Sequence, residues 1–235
     1  MLVKLENILN NIYAGKVLDI ATGAGDFIEF IKNMSQLESV TAIDELEIMG
    51  ELIKKRHPEE NIHFKKMNAH HLDFEDYSFD TVCISNSLHH FTDVNQVIQE
   101  AVRVLKKGGL LIINEMCSDE LNPAQQSHDK MHRFVAKLDQ KRGMSHQPTM
   151  SKKEISQIIQ NTDLIEVDHF EFYFPIPESQ QASVIERNIN VLDLQLESFQ
   201  NDPEILQLRN EAENIKEYMR MNGFTQATSL LFVLQ

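Results

Sequence analysis

The sequence predicts an α/β fold built on a mostly parallel sheet with helices on both faces. Three observations carry this. Short apolar runs alternate with helical segments through the first half of the 235-residue chain. Those runs are apolar at nearly every position, as strands buried on both faces are, rather than at every second position. The first run ends in a glycine-rich turn and the second ends in an acid, as in a doubly wound sheet.

The first strand is expected over 16–21 (KVLDIA) and a helix over 27–34. A strand over 39–44 (SVTAID) and a helix over 46–56 follow, then a weaker strand over 62–66. The β-formers of 79–85 (FDTVCIS) predict the fourth strand, with a helix over 93–105 behind it. Gly108 and Gly109 break that helix, and 110–116 (LLIINEM) is the fifth strand. The second half is less regular. A helix over 123–142 places Met131, Phe134 or Val135, and Leu138 on one face. Ser151 and Glu154 form a capping box before Ile155, Ile158 and Ile159, and 164–174 reads as the sixth strand. Ile185, Ile189, Leu192, Leu196 and Phe199 make one narrow apolar stripe, and Ile205, Leu208, Ala212, Ile215 and Met219 make another. Two such stripes suit an antiparallel helical hairpin inserted before the last strand, 228–234. Asp202 and Pro203 are the expected N-cap and first residue of the second helix, and Gly223 its terminator.

Lys and Arg number 22 against 36 Asp and Glu, a net charge of −14. A nucleic-acid binder needs a basic surface, and the longest basic cluster, Lys54-Lys55-Arg56, reads as a solvated helix face. The charge therefore predicts a small-molecule partner and no nucleic acid. Two cysteines, Cys83 and Cys117, make neither a metal site nor a disulfide framework. Neither a signal peptide at Met1–Lys4 nor an apolar run of spanning length is present, so the expected compartment is the cytoplasm.

Candidate ligand-binding residues cluster at the first two strand ends. Gly23 and Gly25 let backbone approach a ligand closely, and N–H groups at a helix start favour an anionic group such as a carboxylate. Asp44 lies 19 residues beyond Gly25, where a doubly wound fold places an acid that accepts hydrogen bonds from ribose hydroxyls. The plainer alternative is that Asp44 only caps the next helix.

Four segments, in order, resemble one family: VLDIATGAGDF (17–27), VTAIDELEIM (40–49), NAHHLDFEDYSFDTVCISNSLHHFTD (68–93) and EAVRVLKKGGLLIINE (100–115). The chain is similar there to class I S-adenosylmethionine (SAM)-dependent methyltransferases, especially the group containing the ubiquinone/menaquinone C-methyltransferases. The resemblance implies a Rossmann-like, mostly parallel seven-stranded sheet, SAM as cofactor and S-adenosylhomocysteine as product. It implies one methyltransferase domain over 1–235, with the SAM core at about 14–116. By position, Asp19, Ala21, Thr22, Gly23 and Gly25 would surround the methionine part of SAM. Asp44 would hold the ribose with Glu45 beside it. Asn68 and Ala69 would lie at the adenine edge, and Ser85 and Asn86 near the amino group. Ala21 departs from the Gly of many relatives. About 15 residues precede the first strand, where relatives often carry a longer helical cap, so 117–150 and 176–224 are expected to form the lid and acceptor segments.

A sulfonium methyl is already activated, so such an enzyme mainly aligns the acceptor for in-line displacement and excludes water. A base is needed only where the acceptor must lose a proton. His90 leads the candidates, with His128 and His132, at i and i+4 on one helix face, behind it. His89 and Glu115 belong to the same group, and Met131 and Phe134 could wall an acceptor. No metal ligand set is expected, since no HExxH pattern accompanies the histidines. No Asp/Asn-Pro-Pro-Tyr/Phe segment follows the fourth strand, which disfavours adenine or glutamine amino groups as acceptors. Two other readings compete. A nicotinamide dehydrogenase would need glycine where Ile28 stands. A non-catalytic SAM-fold binding or regulatory protein, with the hairpin supporting a homodimer, would not need the Asp19, Gly23, Gly25 and Asp44 set intact.

Overall fold

A computed structural model describes residues 10–235. Met1–Lys4, on which the leader reading rests, lies outside the described residues. In chain order the elements are β1 (Tyr13–Ile20), α1 (Ile28–Ile31), β2 (Ser35–Asp44), α2 (Ile48–Arg56), β3 (Ile62–Lys66), β4 (Phe79–Ser85) and a 3-10 turn (Leu88–His90). Then come α3 (Val94–Val104), β5 (Leu105–Met116), α4 (Pro123–Lys141), α5 (Lys152–Gln160), β6 (Glu166–Phe172), α6 (Glu178–Glu197), α7 (Ile205–Asn222) and β7 (Ser229–Leu234). The chain divides into two compact units. The first holds the chain up to Glu115, Lys153–Phe172 and Leu230–Gln235; the second holds Met116–Lys152 and Tyr173–Ser229.

The seven strands form one sheet in the order β3-β2-β1-β4-β5-β7-β6. β1 pairs in parallel with β2 and β4, β2 with β3, and β4 with β5. Just beyond β6 and β7, Ile165 and Gln235 exchange both backbone hydrogen bonds (2.8 and 2.9 Å), the pattern of an antiparallel pair. Val17, Leu18 and Ile20 of β1 and Val82, Cys83 and Ile84 of β4 are all fully buried. Successive strand residues point to opposite faces, so burial of neighbours means that both faces are covered. Each such Val, Leu or Ile side chain contributes about 1.5–3 kcal/mol on leaving water.

Three local expectations are corrected. The helix expected over 27–34 is reduced to Ile28–Ile31. The chain is drawn early into β2, where Ser35 N–H bonds the Ile12 carbonyl and pairing begins at Tyr13 and Ser35. Gly108 and Gly109 do not end α3, which stops at Val104. They lie within β5, in an irregularity of its pairing with β4, where a Cβ on Gly109 would sit 2.7 Å from the Asp80 carbonyl oxygen. Asp202 and Pro203 do not start α7. Asp202 accepts from Glu204 N–H and Ile205 N–H in a turn, and the helix begins at Ile205.

In the second unit α4, α6 and α7 share a core. Phe134 and Leu138 of α4 pack with Leu192 and Leu196 of α6 and with Leu208, Ala212 and Met219 of α7. Both expected stripes face this core except at Ile189, which is buried outside it. Asn122 and Gln125 form a capping box that opens α4. Gly223 terminates α7 at φ +78°, a conformation that suits glycine. No helix among the described residues is long and apolar enough to cross a membrane.

Candidate functional site

The carboxyl ends of β1, β2 and β4 meet around Asp19. Its side chain is 1% exposed. Thr22 Oγ1 donates to Oδ2 at 2.5 Å, while Oδ1 is buried with no hydrogen-bond partner. Burial pushes its pKa from 3.8 to about 7; the Thr22 hydroxyl opposes the rise and the charge of Asp44 adds to it. Cys83, its register partner on β4, is buried too, and its thiol is pushed well up by burial and then by Asp19. Cys83 is thus a core residue.

The turn after β1 bends through left-handed backbone at Ala21 (φ +53°), Gly23 (+53°) and Gly25 (+79°). At Gly23 a Cβ would meet nothing within 4 Å, so the turn is open at that position. Asp44 ties this turn to β2. Its Oδ2 accepts from Gly23 N–H and its Oδ1 from Leu46 N–H, both at 3.0 Å. It does not cap α2, whose first residue is Ile48, so the capping alternative is set aside. Glu45 is exposed.

His57 supports the turn from behind. It is 2% exposed, and its Nε2 donates to the Gly25 carbonyl at 2.9 Å. A Cβ on Gly25 would lie 2.8 Å from that nitrogen. The β4 side is closed by Ser87, whose hydroxyl bridges the carbonyls of Ser85 (2.7 Å) and Ala21 (3.2 Å). Ser85 Oγ accepts from Asn114 Nδ2, and Asn86, at φ +48°, donates its N–H to the Asn114 carbonyl. Sequence reasoning missed His57 and Ser87. Nothing in one sequence links His57 to a glycine 32 residues away.

Asn68 and Ala69 lie in the loop after β3. Asn68 Oδ1 accepts from His70 N–H and Nδ1, and Ala69 is buried. The loop is clamped to α3. Arg103 donates to Glu100, Asp76 and the carbonyls of Leu72 and Phe74, while Glu100 accepts from Leu72 N–H. Arg103 holds the Glu100 carboxyl below its usual range.

Of the histidine pair, His90 is exposed and His89 is buried. Glu115 is fully buried; it accepts from Leu88 N–H at 2.9 Å and from His89 Nδ1 at 3.0 Å, pinning the 3-10 turn to β5.

The second unit contains a cavity of about 720 Å³. His128 and His132 both line it, with Met131 and Val135 from the same helix. Ala227 N–H donates to His128 Nδ1, which leaves the proton of the neutral ring on Nε2. His132 contacts Thr149 through Nδ1 (3.2 Å) and the buried His146 through Nε2 (3.1 Å); His146 Nδ1 in turn meets Asp139 Oδ2 at 2.7 Å. Asp139 and His146 had no sequence signal. Phe134 is 1% exposed within the helical core and does not wall the cavity, and Cys117 is buried away from it.

Residues 18–113 match the family model described as a methyltransferase domain. The demethylmenaquinone methyltransferase of Thermotoga maritima is 37% identical over 101 residues, 43% of this chain and 43% of that protein. The ubiquinone/menaquinone biosynthesis C-methyltransferase UbiE of Bartonella henselae is 34% identical over 125 residues, 50% of this chain and 47% of that protein. The chain spans about half the length of the curated relatives it matches. Among solved structures, the YcgJ protein of Bacillus subtilis superposes with a TM-score of 0.66 at 20% identity, over 100% of this chain and 97% of that one. A SAM-dependent methyltransferase from Thiobacillus denitrificans, in complex with S-adenosyl-L-homocysteine, gives 0.59 at 16% identity, over 100% and 90%. The fold is that of the class I methyltransferases. Within that class, segment 18–113 resembles the ubiquinone/menaquinone C-methyltransferase group, as its four motifs imply.

Proposed function

We propose that this protein is a SAM-dependent methyltransferase acting on a small organic acceptor. The observation that carries the reading is Asp19. A buried carboxylate with one oxygen unpartnered, beside an open glycine turn, is costly unless a cationic or donor group completes it. The ammonium of SAM fits that requirement. Asp44 fits a ribose, because each of its oxygens accepts only one backbone N–H and retains a lone pair for a hydroxyl. In this reading Ala21, Thr22, Gly23 and Gly25 shape the cradle, with Glu45 at its rim. Asn68 and Ala69 bound the base, and Ser85 and Asn86 close the β4 side.

Bound SAM supplies a methyl group already activated on sulfonium sulfur. The chain's own task is then to bind, orient and keep water out. Where the acceptor loses a proton, His90 and His132 are the proposed groups to receive it; His128, whose Nδ1 is taken by Ala227 N–H and whose Nε2 carries the proton, is assigned to donate a hydrogen bond to the acceptor. Residues 117–150 and 176–224 are assigned to covering the acceptor. The reaction is placed in the cytoplasm, without nucleic acid, and self-association through α6 and α7 belongs to the same proposal.

Isothermal titration with SAM, followed by turnover to S-adenosylhomocysteine across an acceptor panel, tests the reading. Micromolar SAM binding that Asp19→Ala abolishes is expected. Absence of SAM binding in a folded protein would end the proposal, and binding without turnover on any acceptor would favour a regulatory SAM-fold protein instead.

A further inference from the structure

We propose that the cavity of the second unit binds a flat, largely apolar organic anion, an aromatic carboxylate being the simplest member, with Arg187 holding its charge. Naming that ligand as the methyl acceptor rests on the proposed activity; the binding chemistry does not. At about 720 Å³ the cavity has the size of a small-molecule site. Its walls are apolar and partly aromatic, from Met131, Phe174, Ile176, Val191 and Phe224. Aromatic walls favour a flat ligand, which stacks with little loss of freedom.

The charges around it are one-sided. The chain carries 36 acids against 22 Lys and Arg, yet no Asp or Glu lines the cavity. Arg187 is the one permanently charged residue in its lining. Val184, Arg187 and Val191 are spaced 3 and 4 apart on α6, so the guanidinium stands on the same helix face as the apolar wall. Arg56, Arg103, Arg133 and Arg142 each pair with a carboxylate. Among the described residues Arg187, Arg209 and Arg220 make no ion pair or hydrogen bond, and of these three Arg187 is the one that lines the cavity, although Glu186 adjoins it in sequence. A planar guanidinium at an apolar cavity, with acids kept out, selects a carboxylate through two parallel hydrogen bonds.

The test uses the full chain and two probes of one shape, 2-naphthoate and its uncharged amide, 2-naphthamide, titrated by calorimetry. The naphthoate is expected to bind about tenfold or more tightly than the amide, the worth of one charge-assisted pair. In Arg187→Ala that preference disappears; Arg187 is exposed, so its replacement leaves the core untouched. In Val191→Trp the indole fills the cavity and both probes are lost, with circular dichroism confirming the fold. Equal affinity for the two probes, no binding of either, a preference that survives Arg187→Ala, or binding that survives Val191→Trp each overturns the inference. SAM affinity of the unaltered protein is measured separately. Absence of SAM binding refutes the proposed activity and leaves the anion site standing, whereas failure of the probes refutes the anion site alone.

Discussion

Asp19→Asn isolates the strain of burying a carboxylate at the end of β1. In the folded protein burial raises this group from 3.8 to about 7. The folded state therefore holds its proton more tightly than the unfolded chain does. Stability from this group is complete below the unfolded value and is lost as pH rises through the folded one. Three units at about 1.4 kcal/mol each make the penalty about 4 kcal/mol above pH 7. Asparagine cannot ionise, so it escapes that penalty. Its oxygen keeps the Thr22 bond and its amide replaces the unpartnered Oδ1. A buried amide without an acceptor costs about 1–3 kcal/mol. The variant should therefore be more stable than the wild type by about 1–3 kcal/mol above pH 7, and less stable by a similar amount near pH 4. Urea unfolding of both proteins across that range checks it, because other titrating groups cancel in the difference. A difference that stays flat with pH would refute the reasoning.

The remaining predictions concern the same turn and the helical core. Asp44→Ala should weaken SAM binding by roughly 1–3 kcal/mol, measured by calorimetry; unchanged affinity in a folded variant would remove Asp44 from the site. Gly25→Ala puts a methyl against His57 in left-handed backbone and should cost about 2 kcal/mol or more in denaturant unfolding, with His57→Ala recovering part of it in the double variant. Ala21→Gly should stabilise by up to about 1 kcal/mol, since alanine there holds φ +53°; a loss of stability would show that the alanine methyl is needed. Leu208→Ala, in the fully buried centre of the three-helix core, should cost about 2–5 kcal/mol. A loss under 1 kcal/mol would mean that the α7 stripe is not packed as described.

By itself the sequence determined the alternation of strands and helices, the glycine turn and the place of Asp44 at the end of the second strand, while Asp19 stood out through the family resemblance. These signals are local: apolar runs, a Gly-rich turn and an acid at a strand end each lie within one continuous segment. Both hairpin stripes were legible for the same reason, because helical spacing shows in consecutive residues. Tertiary structure alone decided which glycines do what. Gly108 and Gly109 read as a helix stop, but Gly109 lacks a side chain because the Asp80 carbonyl on the neighbouring strand lies where its Cβ would be, and Gly108 holds left-handed backbone at φ +75°. It also decided between His89 and His90, two identical residues side by side, by burying one against Glu115. His57 reaches Gly25, and Arg187 shares a cavity with Phe174 and Phe224, through contacts between segments far apart in the chain. Hydrogen bonding and cavity shape depend on distances in space, and one sequence records only order along the backbone.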